Sequence, residues 1–215
     1  MLCSGGPAGF AARVNLNRAI PTALLAALAA GCAQMNHGAE GAPGDPEGRV
    51  ASLEGFDHAL LGRAMFEETN RVRAANGVRP LAPSAPLDAA ADDQASWMAL
   101  VFRAQHDNPI PGEHDALERA EHAGLAALRV GENAIMVPLR PPAGSPQADY
   151  TYRALAAYIV DSWMGSPAHR ANLLDPGYRH LGCAARAAHG VLPGDQRVFA
   201  TQVFFLGNPK EPTKD

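Results

Sequence analysis

The sequence predicts an α+β protein, a three-layer α-β-α sandwich with a central antiparallel sheet. Three long segments carry apolar residues at three- and four-residue steps, which is the pattern of an amphipathic helix. The last strand-like segment, Val198–Leu206, is apolar on both faces apart from Thr201 and Gln202. A strand of this kind needs cover on both faces. Three long helices and roughly three strands supply that cover as helix layers above and below one sheet.

The helices are bounded by residues that favour helix starts and ends. Ser84 is a plausible N-cap for the second helix, and Gly77 favours the end of the first. Ser166 followed by Pro167 predicts one more helix start, because proline is favoured at the first helical position. The helices are expected over Phe56–Asn76, Ala85–Arg103, Glu113–Gly124 and Tyr152–Met164.

The strands are expected over Arg129–Val137, Tyr178–Ala187 and Arg197–Leu206, with Gly190–Asp195 as a hairpin loop between the last two. Period-two alternation places Val130, Glu132, Ala134 and Met136 on one face of the first strand. The segment 138–149 contains four prolines and is expected to form a loop.

Composition limits the classes of partner. The 215 residues carry a net charge of −4 and show no basic stripe, so nucleic acid is not an expected partner. Only Cys183 lies inside the predicted domain, which leaves no internal disulfide and favours a buried core cysteine. We expect a monomer.

The N-terminal segment 1–31 is expected to be a signal peptide of the lipoprotein type. Arg13 and Arg18 precede a short apolar run, which ends in Leu28-Ala29-Ala30-Gly31-Cys32. Acylation of Cys32 would anchor the exported chain to a membrane of the cell envelope. The alternative is cleavage without a lipid, which gives a secreted protein. The domain plan is then 1–31 signal peptide, 32–55 flexible tether, 56–207 folded domain and 208–215 C-terminal tail.

The most informative motif is the run from Trp163 to Leu174, Trp-Met-Gly-Ser-Pro-Ala-His-Arg-Ala-Asn-Leu-Leu. It places His169, Arg170 and Asn172 in the first turns of a helix. Two shorter motifs accompany it, Gly131-Glu132-Asn133 and Thr201-Gln202-Val203-Phe204. In this order and spacing, with the helix end at Asn76-Gly77 and with His106, the motifs resemble the CAP superfamily of secreted proteins, in its bacterial branch.

The resemblance implies an α-β-α fold with a large surface cleft, which in many members holds two histidines and two glutamates. Some members bind a divalent metal there, others bind sterols or lipids, and no single enzymatic activity is common to the family. His106 matches the first family histidine and Glu132 the glutamate of the Gly-Glu-Asn motif. The second glutamate and the second histidine are replaced by Ser166 and Phe199. His169 is a candidate to replace the lost imidazole.

Two imidazoles and a carboxylate form a reasonable ligand set for Zn²⁺ or another divalent cation, so His106, Glu132 and His169 are candidate metal ligands. Because His169 would stand at the third helical position, the positive helix end disfavours a second proton on its ring. The residues expected to line a polar cleft are His106, Glu132, Asn133, His169, Arg170, Asn172 and Gln202. The competing interpretation is a structural polar network without a ligand.

Three functions follow from these alternatives. The first is a non-catalytic binding module of the cell envelope that presents its cleft to a lipid, a peptide or an envelope component. The second is a metal-assisted hydrolase that uses His106, Glu132 and His169. The third is a structural envelope protein whose cleft has lost its role. The sequence also lacks the Gly-x-Ser-x-Gly and His-Glu-x-x-His motifs of common hydrolases.

Overall fold

Helices cover both faces of a four-stranded sheet in the computed structural model, which describes residues 44–50, 52–146 and 149–207. The predicted signal peptide 1–31, Cys32 and the predicted tail 208–215 lie outside these ranges. The elements are α1 (His58–Ala75), β1 (Ala82–Pro83), α2 (Ala85–Val101), α3 (Ala116–His122), β2 (Arg129–Pro138), α4 (Tyr152–Met164), α5 (Pro167–Leu174), β3 (His180–His189) and β4 (Gln196–Leu206). The predicted sandwich is confirmed.

The sheet has the order β1-β3-β4-β2. Strand β4 is central and pairs antiparallel with β3 on one side and β2 on the other. Its alternate residues face opposite helix layers, since Val198, Ala200 and Phe204 belong to the core beneath α1 and α4, while Val203 and Phe205 pack with α2 and α3. Strand β4 is therefore apolar on both faces because it is buried between two helix layers, as inferred from the sequence.

Two glycines allow both helix layers to approach β3 closely. A Cβ atom on Gly62 of α1 would lie 2.8 Å from the carbonyl oxygen of Cys183, and one on Gly182 would lie 2.1 Å from the carbonyl carbon of Leu87 in α2. These distances leave no room for a methyl group. The absence of side chains at Gly62 and Gly182 sets the spacing between the sheet and both layers. Cys183 itself is buried and unpaired, as expected.

One strand is not indicated by the sequence. Ala82 and Pro83 pair in parallel with His180 and Leu181, so a short parallel edge strand adds to the antiparallel sheet. Two residues that include a proline carry no periodicity, which is why the sequence indicated only a turn here. Trp163 is fully buried in the core, whereas Trp97 is only half buried and does not belong to it.

The predicted tether 32–55 needs correction in its last part. The backbone N–H of Val50 donates to the carbonyl of Tyr150 at 2.8 Å, Arg49 forms an isolated bridge with Thr151, and the Val50 side chain is 2% exposed. The segment 44–50 therefore packs on the start of α4. Val50 supplies the apolar surface for this contact, which the composition of the segment does not indicate. In the part of the chain that the structure covers, no helix is both long and apolar enough to cross a bilayer.

The close approach at Gly182 gives a prediction. We expect Gly182→Ala to destabilise the fold by about 3 kcal/mol, because the added methyl group overlaps the backbone of α2. The matched control is Gly165→Ala, whose Cβ would meet its nearest atom at 3.4 Å with an ordinary backbone φ of −71°. Urea denaturation of both variants measures the difference; equal stability of the two would show that the helix layer shifts without cost.

Candidate functional site

Glu132 lies at the centre of the candidate site. It stands on β2, at the edge of the sheet, and faces the layer of α2 and α3. Its carboxylate is only 5% exposed, and both of its oxygens are engaged. One oxygen lies 2.8 Å from Nδ1 of His106, and the other accepts a hydrogen bond from Nη2 of Arg119. A buried carboxylate of this kind requires a paired cation, and Arg119 supplies one.

Arg119 is fully buried on α3, a short helix that is capped by its own sequence. The Asp115 side chain accepts hydrogen bonds from the backbone N–H groups of Leu117 and Glu118, both at 2.9 Å. Nη1 of Arg119 donates to the carbonyl of Glu113 at 2.8 Å. The cap and this second contact fix the guanidinium on the Glu132 carboxylate.

His106 is the exposed member of the group. Its side chain is 55% exposed and reaches Glu132 from the loop after α2. The hydrogen bond to Glu132 raises the pKa of His106, although partial burial and the charge of Arg119 act against the rise. The imidazolium form is therefore stabilised, with one ring nitrogen on Glu132.

His169 occupies the third position of α5, as predicted, and is half buried. Burial lowers its pKa, and the nearby charge of His106 lowers it further. The lowered pKa agrees in direction with the neutral ring expected from the sequence, with burial as the first cause and the charge of His106 as the second. The pKa values of the two imidazoles are thus shifted in opposite directions.

Asn133 and Gln202 do not line a cleft, which corrects the sequence prediction. Both are fully buried on the opposite face of the sheet from Glu132. The amide of Asn133 donates to the backbone carbonyl of His169 at 3.1 Å and lies 3.5 Å from the Gln202 oxygen. Gln202 in turn donates to the hydroxyl of Thr69 on α1. They are internal hydrogen-bonding residues, because alternation along the strands turns them into the core.

Asn172 and Arg170 behave differently from each other. The Asn172 side chain donates to the backbone carbonyl of Glu132 at 3.1 Å and to the side chain of Asn133 at 3.0 Å, so it ties α5 to β2. The Arg170 side chain, by contrast, is exposed and bonds to no described residue. It lines a hollow of about 540 Å³ with Pro167, Ala171, Leu174, Asp175 and Pro176.

The predicted metal site does not fit this geometry. Among residues 44–50, 52–146 and 149–207, no group of three or more His, Cys, Asp or Glu side chains is arranged to hold a metal ion. Glu132 already binds His106 with one oxygen and Arg119 with the other, so a metal ion at this carboxylate would compete with these two bonds. Zinc ligation by His106, Glu132 and His169 stays a prediction without support from the donor atoms.

Arg119 is the site residue that the sequence did not identify. Arg119 and Ala120 are the two buried residues of α3, a helix otherwise rich in charge, and only the fold shows which of its charged residues faces the interior. An arginine on the buried side of so short a helix needs an acidic partner, and Glu132 was available. By contrast, Glu118 and His122 of α3 are exposed, as is His114 just before the helix.

The sequence profile of the "Cysteine-rich secretory protein family" (CAP) matches residues 66–204. This chain belongs to the CAP family. No curated protein gives a significant sequence match. The CAP match begins inside α1 and ends inside β4, so it covers Glu132, Arg119 and both histidines.

A solved bacterial structure shares the fold. An extracellular protein containing an SCP domain from Bacillus anthracis str. Ames gives a TM-score of 0.50 at 21% identity, over 70% of this chain and 41% of that one. Two others score lower. A cysteine-rich secretory protein from Staphylococcus aureus subsp. aureus Mu50 gives 0.45 at 19%, over 70% and 40%. An outer surface protein of Borrelia burgdorferi gives 0.49 at 13%, over 71% and 97%. This chain spans about two fifths of the Bacillus and Staphylococcus proteins.

The buried ion pair predicts a non-additive mutational effect. We expect Arg119→Met to cost about 3–5 kcal/mol of unfolding free energy, because it leaves the Glu132 carboxylate buried with only the exposed His106 as partner. The double variant Arg119→Met with Glu132→Gln should lose less than the sum of the single variants. A denaturant double-mutant cycle measures the coupling; additive losses would show that the pair does not interact energetically.

The His106–Glu132 contact predicts a pH dependence. Because the folded pKa of His106 is raised, its contribution to stability is full below about pH 6.5, the unfolded value, and is lost as pH rises through the folded pKa. The difference in melting temperature between the wild type and His106→Gln should therefore shrink as pH rises. In His106→Gln, ring NMR should show a higher pKa for His169, since a neighbouring positive charge is gone. An unchanged His169 titration would contradict the coupling.

Proposed function

We propose that this CAP domain is a non-catalytic, monomeric binding module of the cell envelope, and that it binds an anionic group of an envelope ligand such as a peptide or a lipid headgroup. The observation that carries the proposal is the half-exposed His106 ring held on Glu132 at 2.8 Å. With Nδ1 on Glu132, the other ring nitrogen is left as a donor. A donor on a charged ring favours a carboxylate or phosphate oxygen.

The surroundings of His106 support an anion. Arg119, inside the protein, neutralises the charge of the Glu132 carboxylate. The group formed by Arg119, Glu132 and a protonated His106 therefore keeps a net positive charge. Arg170 follows His169 on α5 and presents an exposed guanidinium bonded to no described residue. A ligand that contacts α5 and His106 would meet two positive groups and one neutral imidazole. This arrangement is suited to charge-assisted hydrogen bonding.

The hydrolase alternative has less support. A metal would compete with the two existing bonds of Glu132, to His106 and to Arg119. Covalent catalysis without a metal needs a side-chain nucleophile within hydrogen-bond reach of the base. In the described ranges, the only side chain hydrogen-bonded to the His106 ring is the carboxylate of Glu132. The geometry therefore favours binding over bond cleavage.

Export and anchoring complete the proposal. The Bacillus protein, which shares the fold, is described as extracellular. The Leu28–Cys32 sequence supports a lipoprotein signal in this chain, with the lipid on Cys32. Mass spectrometry of the protein purified from membranes tests this part directly, by the acyl mass on a peptide that begins at Cys32.

The binding proposal is tested with probes of defined charge. N-acetyl-alanyl-alanine, its C-terminal amide and inorganic phosphate are titrated while the ring NMR signals of His106 and His169 are followed. We expect the carboxylate or the phosphate, but not the amide, to shift both signals, with tighter binding below the pKa of His106 than above it. His106→Gln and Arg170→Gln should each weaken binding about tenfold, as the loss of one charged hydrogen bond predicts.

The control variant is His114→Gln, since His114 is exposed and lies outside the site. It should bind as the wild type does. Stoichiometric zinc that co-purifies with the wild type and is lost in His106→Ala would favour the hydrolase instead. A protein that binds none of the probes, and in which His169→Ala lowers only the melting temperature, would favour the structural role.

A further inference from the structure

The tip of the β3–β4 hairpin exposes two large apolar side chains to solvent. Val191 is 99% exposed and Leu192 is 71% exposed, and the turn closes at Gly194 with a left-handed φ of +78°. Scattered single apolar residues are ordinary on a protein surface. Val191 and Leu192, however, are adjacent at the outermost point of the hairpin, and together they are called the apolar tip. No described residue covers them.

The last turn of α2 ends beside this tip and is also apolar. Leu100 is 78% exposed and Val101 is 37% exposed. Phe102, which ends the helix in a left-handed conformation with φ 53°, packs its ring on Phe199, and a Cβ atom on Gly190 would lie 2.8 Å from that ring. The end of α2 and the base of the hairpin are thus in contact. Both leave aliphatic side chains outside the core at the same end of the domain.

The N-terminal end of the described chain lies at this end of the domain too. A Cβ atom on Gly44 would be 3.2 Å from the carboxylate of Asp57, the N-cap of α1. In the first turn of α1, the His58 ring is 3.1 Å from the carbonyl oxygen of Ala185 on β3. From Ala185 the strand continues only as far as His189, where the hairpin turn begins. The opposite end of α1 lies toward the start of β3, where β1 pairs.

The charges near the tip suit a membrane surface. The carboxylate of Asp195, at the base of the hairpin, is paired with Arg197 at 2.6 Å. Arg103, directly after Phe102, is exposed and bonds to the neutral amide oxygen of Gln105 at 2.8 Å. The end of the domain therefore offers aliphatic side chains and a cation without an acidic partner among the described residues. Interfacial membrane segments combine apolar surface with basic residues in the same way.

We propose that the apolar tip, together with Leu100 and Val101, inserts into the lipid interface of the membrane that holds the chain. The inference rests on the proposed anchor at Cys32. Eleven residues, in a segment whose composition predicts a flexible tether, separate Cys32 from Gly44. A flexible chain of that length has a root-mean-square span of about 19 Å. The anchor would hold Gly44, and with it this end of the domain, at a high effective concentration near the bilayer.

Insertion would also orient the binding site. Pro138 pairs with Arg197 at the hairpin end of the sheet. Glu132 precedes Pro138 on β2, and more than half the length of that strand separates the two residues. The tip would rest in the interface while His106 stays above the bilayer surface. A peptide or another component of the surrounding envelope would reach His106 more readily than the headgroups of the same bilayer.

The test uses the chain from Cys32 to Asp215, coupled through Cys32 to maleimide lipids in anionic phosphatidylglycerol vesicles. Cys183 is buried and does not compete for the label. Leu192→Trp is compared with Leu128→Trp, a matched control because Leu128 is 82% exposed and lies just before β2, at the other end of that strand. Trp97 and Trp163 give the same background in both. We expect Leu192→Trp alone to shift its emission to the blue and to be quenched several-fold more strongly by brominated lipids.

Equal quenching of the two variants would overturn the inference. A blue shift of Leu192→Trp that depends on protein concentration and appears without vesicles would also overturn it, by assigning the tip to contact with a second copy. Because the anchor is supplied chemically, the result is independent of natural acylation. Absence of an acyl mass on Cys32 in cells counts against the proposed anchor alone, and failure of the probe titrations counts against the binding site alone.

Discussion

The carboxylate of Glu132, held between Arg119 and His106, is the interaction on which the site depends. A buried carboxylate would be strongly unfavourable without compensation, and Arg119 provides that compensation from a fully buried position. The pair fixes α3 on the edge strand β2 and gives His106 a rigid partner. Solvent does not reach the contact between Glu132 and Arg119, so salt and competing ions have little access to it. The chemistry of the exposed His106 ring therefore depends on a buried ion pair.

Neighbouring residues on β2 face opposite sides of the sheet and make different contacts there. Glu132 faces α2 and α3, where the ion pair lies, while Asn133 faces the other layer and joins a chain of hydrogen bonds. That chain runs from Thr69 on α1 through Gln202 and Asn133 to α5, where Asn172 returns to the carbonyl of Glu132. Helix α5, which carries His169 and Arg170, is thus positioned by buried amides and not by direct contact with the Glu132 carboxylate.

The sequence predicted most of the fold because its signals are local. Apolar periodicity marks α1, α2 and α4, and α4 has the predicted bounds. The features it missed depend on contacts between distant segments: the strand at Ala82–Pro83 exists only through β3, and the burial of Val50 exists only through Tyr150. For the site, motifs identified His106 and Glu132, but only the fold shows that Gln202 is internal and that Arg119 is the partner of Glu132.

If the proposed anion binds beside α5, the two imidazoles couple its binding to protonation. Burial and the positive charge of His106 lower the pKa of His169, and the hydrogen bond to Glu132 raises the pKa of His106, so a proton is held by His106 in preference to His169. An anion beside both rings would favour protonation of each, and by linkage protonation would favour the anion. Binding and proton uptake are then one coupled event at the surface of α5.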